Sequence, residues 1–219
     1  MAISADRFKS VIIQRRWLSR RVFEIKISRP TRFKYESGQW IRIFTAENQR
    51  DYTLVSSPKD QDLVLCIRHV EGGQLSSFLG SAEPGTQISF TGPCGYFTYK
   101  SSEHPAVFVA TGTGIAPFCS MVRSGANGFT MLHGVNDPQE LHYKSVIEPV
   151  AELYLPCNSG SKKNPGDSFG GRVTDYVQNH LDRKVCDFYL CGHREMIRDM
   201  LFLIDEYFSN SLVYTETFY

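Results

Sequence analysis

The segment Arg50-Asp51-Tyr52-Thr53-Leu54-Val55-Ser56-Ser57-Pro58 gathers a cation, an aromatic ring and three small hydroxyls. Alternate residues of a strand face the same way, so Arg50, Tyr52 and Leu54 are expected on one face and Asp51, Thr53 and Val55 on the other. An extended backbone here offers a flat ring, a hydroxyl and a guanidinium fork. That set suits a planar ring with a phosphate tail, because guanidinium makes two parallel charge-assisted hydrogen bonds to phosphate. The same residues also describe an ordinary barrel strand with an exposed arginine.

Three further segments carry chemistry. Val70-Glu71-Gly72-Gly73-Gln74-Leu75-Ser76 frees the backbone with glycines ahead of a helix expected near Leu75, whose first N–H groups suit an anion. A turn with a serine cap describes it equally well. Thr111-Gly112-Thr113-Gly114-Ile115-Ala116-Pro117 follows an apolar run and opens a helix, the setting in which a glycine loop approaches a dinucleotide. Pro117 stands where the third glycine of G-x-G-x-x-G would be, which argues against a Rossmann dehydrogenase. Leu190-Cys191-Gly192-His193-Arg194-Glu195-Met196 ends another apolar run, where sheets of this kind bind ligands. A thiol there is small and polarizable, and a buried cysteine before a turn describes it as well.

The elements that must position these groups change in kind along the chain. Strands are expected at 10–14, 22–27, 40–44, over the focal segment, at 62–70 and at 86–90, with a turn at Gly92-Pro93-Cys94-Gly95. Short, closely spaced strands without helical periodicity argue a small antiparallel barrel. After His104-Pro105, apolar strands at 106–110, 129–134, 153–155 and 188–192 alternate with helices at 115–123 and around 138–149, 172–183 and 194–208, and Leu212-Val213-Tyr214 forms a last strand. Alternation of that kind implies a parallel doubly wound sheet. The expected domains are 1–101 and 102–219.

Composition is that of an ordinary soluble globular protein, with 42% hydrophobic and 21% charged residues. Twenty-four basic against 23 acidic residues leave a net charge of +1, which gives no global attraction to nucleic acid or membrane. No apolar run approaches the roughly 20 residues of a membrane span. Met1-Ala2-Ile3-Ser4-Ala5-Asp6-Arg7 lacks an apolar core, so no secretory signal and a cytoplasmic location are expected. The six cysteines (Cys66, Cys94, Cys119, Cys157, Cys186, Cys191) match neither C-x-x-C nor iron–sulfur spacing, and are expected reduced, with no metal.

In this order, the motifs resemble the ferredoxin–NADP reductase superfamily. Arg50-x-Tyr52-Thr53-x-x-Ser56 is similar to its flavin signature R-x-Y-[ST]-x-x-S, Gly73-Gln74-Leu75-Ser76 to its G-x-x-S element, and Gly92-Pro93-Cys94-Gly95-Tyr96-Phe97 to a barrel-closing loop without chemistry. Gly112-Thr113-Gly114-Ile115-Ala116-Pro117 and Cys191-Gly192-x-x-x-Met196 resemble its nicotinamide elements, and Glu216 with Phe218 or Tyr219 its terminal strand. The resemblance implies a six-stranded Greek-key FAD-binding barrel followed by an NAD(P)-binding α/β domain, both converging on one cleft. It implies that Arg50, Asp51, Tyr52, Thr53, Ser56, Ile67, His69, Gly73, Gln74, Leu75 and Ser76 bind FAD. Thr111, Gly112, Thr113, Gly114, Pro117, Ser159, Cys191, Gly192 and Met196 would bind the nicotinamide cofactor, with Phe218 or Tyr219 against the flavin. Thr53, Cys191 and Glu216 would take catalytic positions. His133-Gly134-Val135-Asn136 resembles the family's H-G-x-R with asparagine for arginine, and His133 is expected to be structural.

The nicotinamide preference leans to NADPH over NADH. Ser159 fits a 2′-phosphate, yet Gly160 stands where relatives carry arginine, leaving Lys162, Lys163 or Arg172 as substitutes. The expected partner of a monomeric enzyme is a ferredoxin, a flavodoxin or an oxygenase component, with Arg15-Arg16, Arg20-Arg21 and Arg32 as a basic rim. Three other readings stay open: reduction of free flavin, a flavin-binding electron-relay or regulatory subunit without nicotinamide turnover, and a dinucleotide enzyme without flavin.

Overall fold

The structure is a computed structural model that describes residues 7–45, 47–161 and 166–218. The chain divides into two units, Met1–Thr98 and Tyr99–Tyr219. The division precedes residue 101 because Tyr99 and Lys100 already belong to the second unit: the Tyr99 ring packs edge-on against Phe108, and the Lys100 N–H donates to the Tyr189 hydroxyl at 3.0 Å.

In the first unit β1 (Phe8–Trp17), β2 (Val22–Ser28), β3 (Trp40–Phe44), β4 (Gln49–Thr53), β5 (Asp62–Arg68) and β6 (Gln87–Cys94) form one antiparallel sheet, with α1 (Gln74–Ser81) after β5. The strand order is β4-β3-β6-β1-β2-β5. Leu54 bridges antiparallel to Leu65, and the Val55 N–H donates to Val64 O at 2.8 Å, so the two ends of the sheet meet and close a barrel. The interior follows from period-two alternation: Ile25 and Ile27, Ile41 and Ile43, and Leu63, Leu65 and Ile67 are all fully buried. Each such side chain contributes about 1.5–3 kcal/mol.

In the second unit β7 (Ala106–Thr111), α2 (Ala116–Arg123), β8 (Thr130–Val135), α3 (Lys144–Ile147), β9 (Leu153–Asn158), α4 (Val173–Asn179), β10 (Asp187–His193), α5 (Arg194–Tyr207) and β11 (Leu212–Phe218) build a sheet in which every pair is parallel. Its order is β11-β10-β7-β8-β9. β7 and β10 are buried on both faces, hence their continuous apolar runs. The expected helix over 138–149 is instead broken into two 3₁₀ turns flanking α3. Pro138 and Pro149 cannot donate within it, and Tyr143 takes a left-handed φ of 61°. The last strand runs further than expected, because β11 stays in register with β10 from Asp187↔Leu212 to His193↔Phe218. Among the described residues, no helix is long and apolar enough to cross a membrane.

Candidate cofactor sites

The first site is built on β4 and the turn into α1. Directly opposed residues of antiparallel strands share a face, so the pairs Ile43↔Arg50 and Ile41↔Tyr52 put Arg50 and Tyr52 on the barrel-side row. Arg42↔Asp51 and Trp40↔Thr53 form the opposite row. Arg50 is exposed at the strand's free end, with its guanidinium donating to Gln49 O at 2.7 Å. Tyr52 is half-buried against the barrel core, and burial raises its phenol to about 12 despite Arg50, so the ring stays neutral. Thr53 is buried at the strand end. The alternation stops there: Leu54, Val55, Ser56 and Ser57 are all buried, because the chain crosses from β3 to β5. Asp51 is held by Arg42 through two contacts of 2.6 and 2.8 Å.

The N-terminus of α1 comes to this strand through its side chains. Asn48, in the turn entering β4, donates its amide to Gln74 Oε1 at the first position of α1. Gly73 caps α1 without a side-chain bond, and the first turn carries no acid. Gly72 has φ +74° and open space where a Cβ would be. An exposed arginine two residues along from the Asn48 that reaches α1, together with an uncapped helix start and an open glycine, fits a diphosphate. Ser76 faces inward: its hydroxyl accepts the Val70 N–H at 3.1 Å and closes the turn. Ile67 and Leu75 are core side chains, so they offer a ligand only backbone. His69 lies edge-on to Trp17, with its ring nitrogen 3.4 Å from Ser77 Oγ.

The second site lies at the carboxyl ends of β7 and β10. The strand order reverses between them, the topological switch point at which sheets of this kind bind ligands. Gly112–Ile115 forms a 3₁₀ turn, with Gly112 at φ +55° facing open space, and α2 then begins at Ala116 with Pro117 in its first turn. Gly114 lies against Cys191, and Gly192 (φ +138°) against Thr111; a Cβ on either would run into that backbone. The His193 N–H donates to Thr111 Oγ1 at 2.9 Å. Thr111, Gly114, Cys191 and Gly192 thus form one interlocked floor, with Gly112 and Thr113 partly open at its edge.

Cys191 is fully buried, and its thiol is raised well above its ordinary value by burial and then by Glu216. Glu216 stands in register with it on β11. Met196 packs into the core beneath α5. The β11 strand includes Phe218, whose side chain lies outside the described residues, as does Tyr219. Ser159 is exposed beyond β9 and donates its hydroxyl to Val135 O at 3.3 Å. Gly160 is needed by close approach, since a Cβ there would strike Asn136 O, so this backbone leaves no room for a side chain at the position. Lys162 and Lys163 lie outside the described residues, and Arg172 is exposed at the start of α4. His133 is fully buried, with Nδ1 2.7 Å from the Tyr154 hydroxyl, as a structural histidine should be.

Sequence reading missed Arg42, Asn48, and the pair Arg29 and Tyr35. The alternation Trp40-Ile41-Arg42-Ile43 puts Arg42 on an outer face, but its partner depends on register, which no local pattern states.

Two family models match the chain: the oxidoreductase FAD-binding domain over residues 12–99 and the oxidoreductase NAD-binding domain over 108–201. Ferredoxin–NADP reductase B of Sorangium cellulosum is 31% identical over 198 residues, 82% of this chain and 79% of that protein. The toluate 1,2-dioxygenase electron transfer component of Pseudomonas putida is 30% identical over 79% of this chain, which spans only 55% of that protein's length. The fold is similar to that of a ferredoxin NADP+ reductase from Neisseria gonorrhoeae with bound FAD and NADP, with a TM-score of 0.86 at 20% identity, covering 98% of this chain and 99% of that one.

Proposed function

Because the chain belongs to the ferredoxin–NADP reductase superfamily and is an FAD-dependent NAD(P)H oxidoreductase, we propose that it hands electrons on to a separate ferredoxin- or flavodoxin-like carrier or oxygenase component. The interlock of Thr111 and Gly114 with Cys191 and Gly192 at the β7/β10 switch point carries this reading. It provides a nicotinamide floor on a chain whose other unit offers a diphosphate cradle. FAD, when bound, supplies the conversion between hydride and single-electron chemistry.

The residues around it bind and orient. Arg50 and the start of α1 hold the diphosphate, Tyr52 packs a neutral ring against the flavin, and Thr53 presents a hydroxyl to its edge. Gly112 and Thr113 admit the nicotinamide cofactor's diphosphate. Cys191 borders the nicotinamide as an uncharged thiol, with Glu216 beside it. The carrier preference rests on the relatives, among them the toluate and naphthalene dioxygenase components of Pseudomonas putida. Of the proposed basic rim, Arg16 pairs with Glu24 at 2.6 Å and Arg15 donates to Ala82 O at 3.1 Å.

Anaerobic mixing of the FAD-loaded protein with NADPH and, separately, NADH tests the reading through the visible flavin band. Bleaching by NADPH in preference to NADH supports the reductase and a 2′-phosphate contact, for which Ser159, Lys162, Lys163 and Arg172 are the candidates to replace. Bleaching by NADH alone keeps the reductase and removes that contact. Retained FAD that neither cofactor bleaches indicates a relay subunit, and a colourless protein that takes up no FAD overturns the flavin site.

A further inference from the structure

β4 ends at Thr53, and within three residues the chain must leave β3 and join β5. The Leu54 N–H donates to Gln39 O at 3.1 Å, and the Val55 N–H to Val64 O at 2.8 Å. Ser56 finishes the crossing. It is fully buried, and its Oγ accepts the Val64 N–H at 3.1 Å. The Tyr35 hydroxyl lies 3.0 Å from Ser56 O and 2.9 Å from Ser56 Oγ. One proton arrangement satisfies the set: Tyr35 donates to the Ser56 carbonyl, and the Ser56 hydroxyl donates back to Tyr35.

Arg29 holds this assembly from outside. Its Nε donates to Phe33 O at 2.9 Å, and its Nη1 to Pro58 O at 2.6 Å and Asp60 O at 3.1 Å. The same guanidinium lies 5.2 Å from the centre of the Tyr35 ring. Arginine alone among the side chains offers a planar fork that reaches several carbonyls while stacking on a ring. The segments on either side, 29–35 and 56–60, are thereby tied together just beyond Thr53.

We infer that Arg29, Tyr35 and Ser56 are positioning residues that fix the flavin-facing end of β4, and so the place of the Thr53 hydroxyl. The inference rests on the reading of β4 as a flavin strand. It revises the expected role of Ser56, whose hydroxyl is sealed inside the lock and serves the strand in place of the ligand. Neither Arg29 nor Tyr35 lies in the motif it supports. The lock matters for rate because misplacing a reacting group by about 1 Å costs as much as ~100-fold.

The test uses the full chain, apo and FAD-loaded, with Tyr35→Phe, which removes only the hydroxyl, and Arg29→Lys as a second variant that keeps the charge and loses the fork. Each is made alone and in a Thr53→Ala background. Three quantities are read: the FAD dissociation constant with the band shape of bound FAD, the thermal midpoint of the apo protein, and the rate of bleaching by the better nicotinamide. The expected result for either variant is FAD affinity within about threefold of the parent, an altered flavin band and bleaching slowed about tenfold. In the Thr53→Ala background the slowing disappears, because the lock acts through that residue. An unchanged band and rate with a lowered apo midpoint would make the lock a stability device only, and slowing that persists without Thr53 would equally overturn the inference. If the parent retains FAD but is bleached by neither nicotinamide, the nicotinamide-reductase reading has failed, and the band shape alone then decides whether the lock positions the flavin strand.

Discussion

Gly114 lies directly against Cys191: a methyl group on it would sit 2.7 Å from the Cys191 carbonyl carbon and from Gly192 Cα. The loop after β7 and the carboxyl end of β10 therefore meet backbone to backbone, with no side chain able to yield between them. Gly114→Ala is expected to cost about 1–3 kcal/mol of stability through overpacking and to weaken nicotinamide binding. FAD affinity should hold, since the flavin residues lie in the other unit. Loss of FAD in parallel with nicotinamide, measured by separate titrations, would show that the interlock is not specific to the second site.

Arg50→Ala removes the exposed cation of β4 and should weaken FAD binding about 10- to 100-fold, the range for charge-assisted contacts of about 1.5–3 kcal/mol. Asp51→Ala is the informative contrast. It frees Arg42, whose guanidinium is held at 2.6 and 2.8 Å, yet leaves the cation facing the diphosphate. An equal loss of FAD in both variants, by titration of apo protein, would make Asp51 a direct part of the site and the difference in roles untenable.

What the sequence reveals here is what local pattern encodes. The strand carrying Arg50, Tyr52 and Thr53 and the alternation of its faces were legible because a strand's period is written in one short segment. The glycine loop after β7 was legible because its apolar strand and Pro117 frame it. The burial of Ser56 was not, because it follows from the crossing between β3 and β5, a relation between residues far apart in the chain. Gly160 reads as a missing arginine until its contact with Asn136 shows that a side chain would not fit. The broken helix over 138–149 was misread because apolar residues recur at helical spacing while Pro138 and Pro149 interrupt the backbone.

Buried thiols should make the protein lose stability in alkali. Burial, chiefly, pushes Cys191 well above its ordinary value and Cys157 to about 12. In the unfolded chain these thiols ionise near about 8.5, so above that pH the unfolded state binds fewer protons and stability falls as pH rises. Each contributes a slope of up to about 1.4 kcal/mol per pH unit until its folded value is reached. Cys191→Ala should flatten its share of that decline, keep FAD and slow flavin reduction. Denaturant titrations between about pH 8 and 10 would expose an error if the parent and variant declined in parallel.

On the acid side the corresponding group is His133. Burial, and then the neighbouring His142, lower its imidazole to about 3, and its Nδ1 is engaged with Tyr154. Unfolded histidine takes up a proton near about 6.5, so the contribution of neutral His133 is fully present above that pH. As pH falls from about 6.5 toward 3 the unfolded state gains the proton first, and the loss reaches about 3 kcal/mol near pH 4. His133→Phe replaces the ring with an aromatic that takes up no proton and should remove this part of the acid decline while leaving a lower plateau at neutral pH, since the Tyr154 hydroxyl then lacks its partner. Urea midpoints at about pH 7, 5.5 and 4 separate the two effects. An acid decline as steep in His133→Phe as in the parent would assign the loss to other groups.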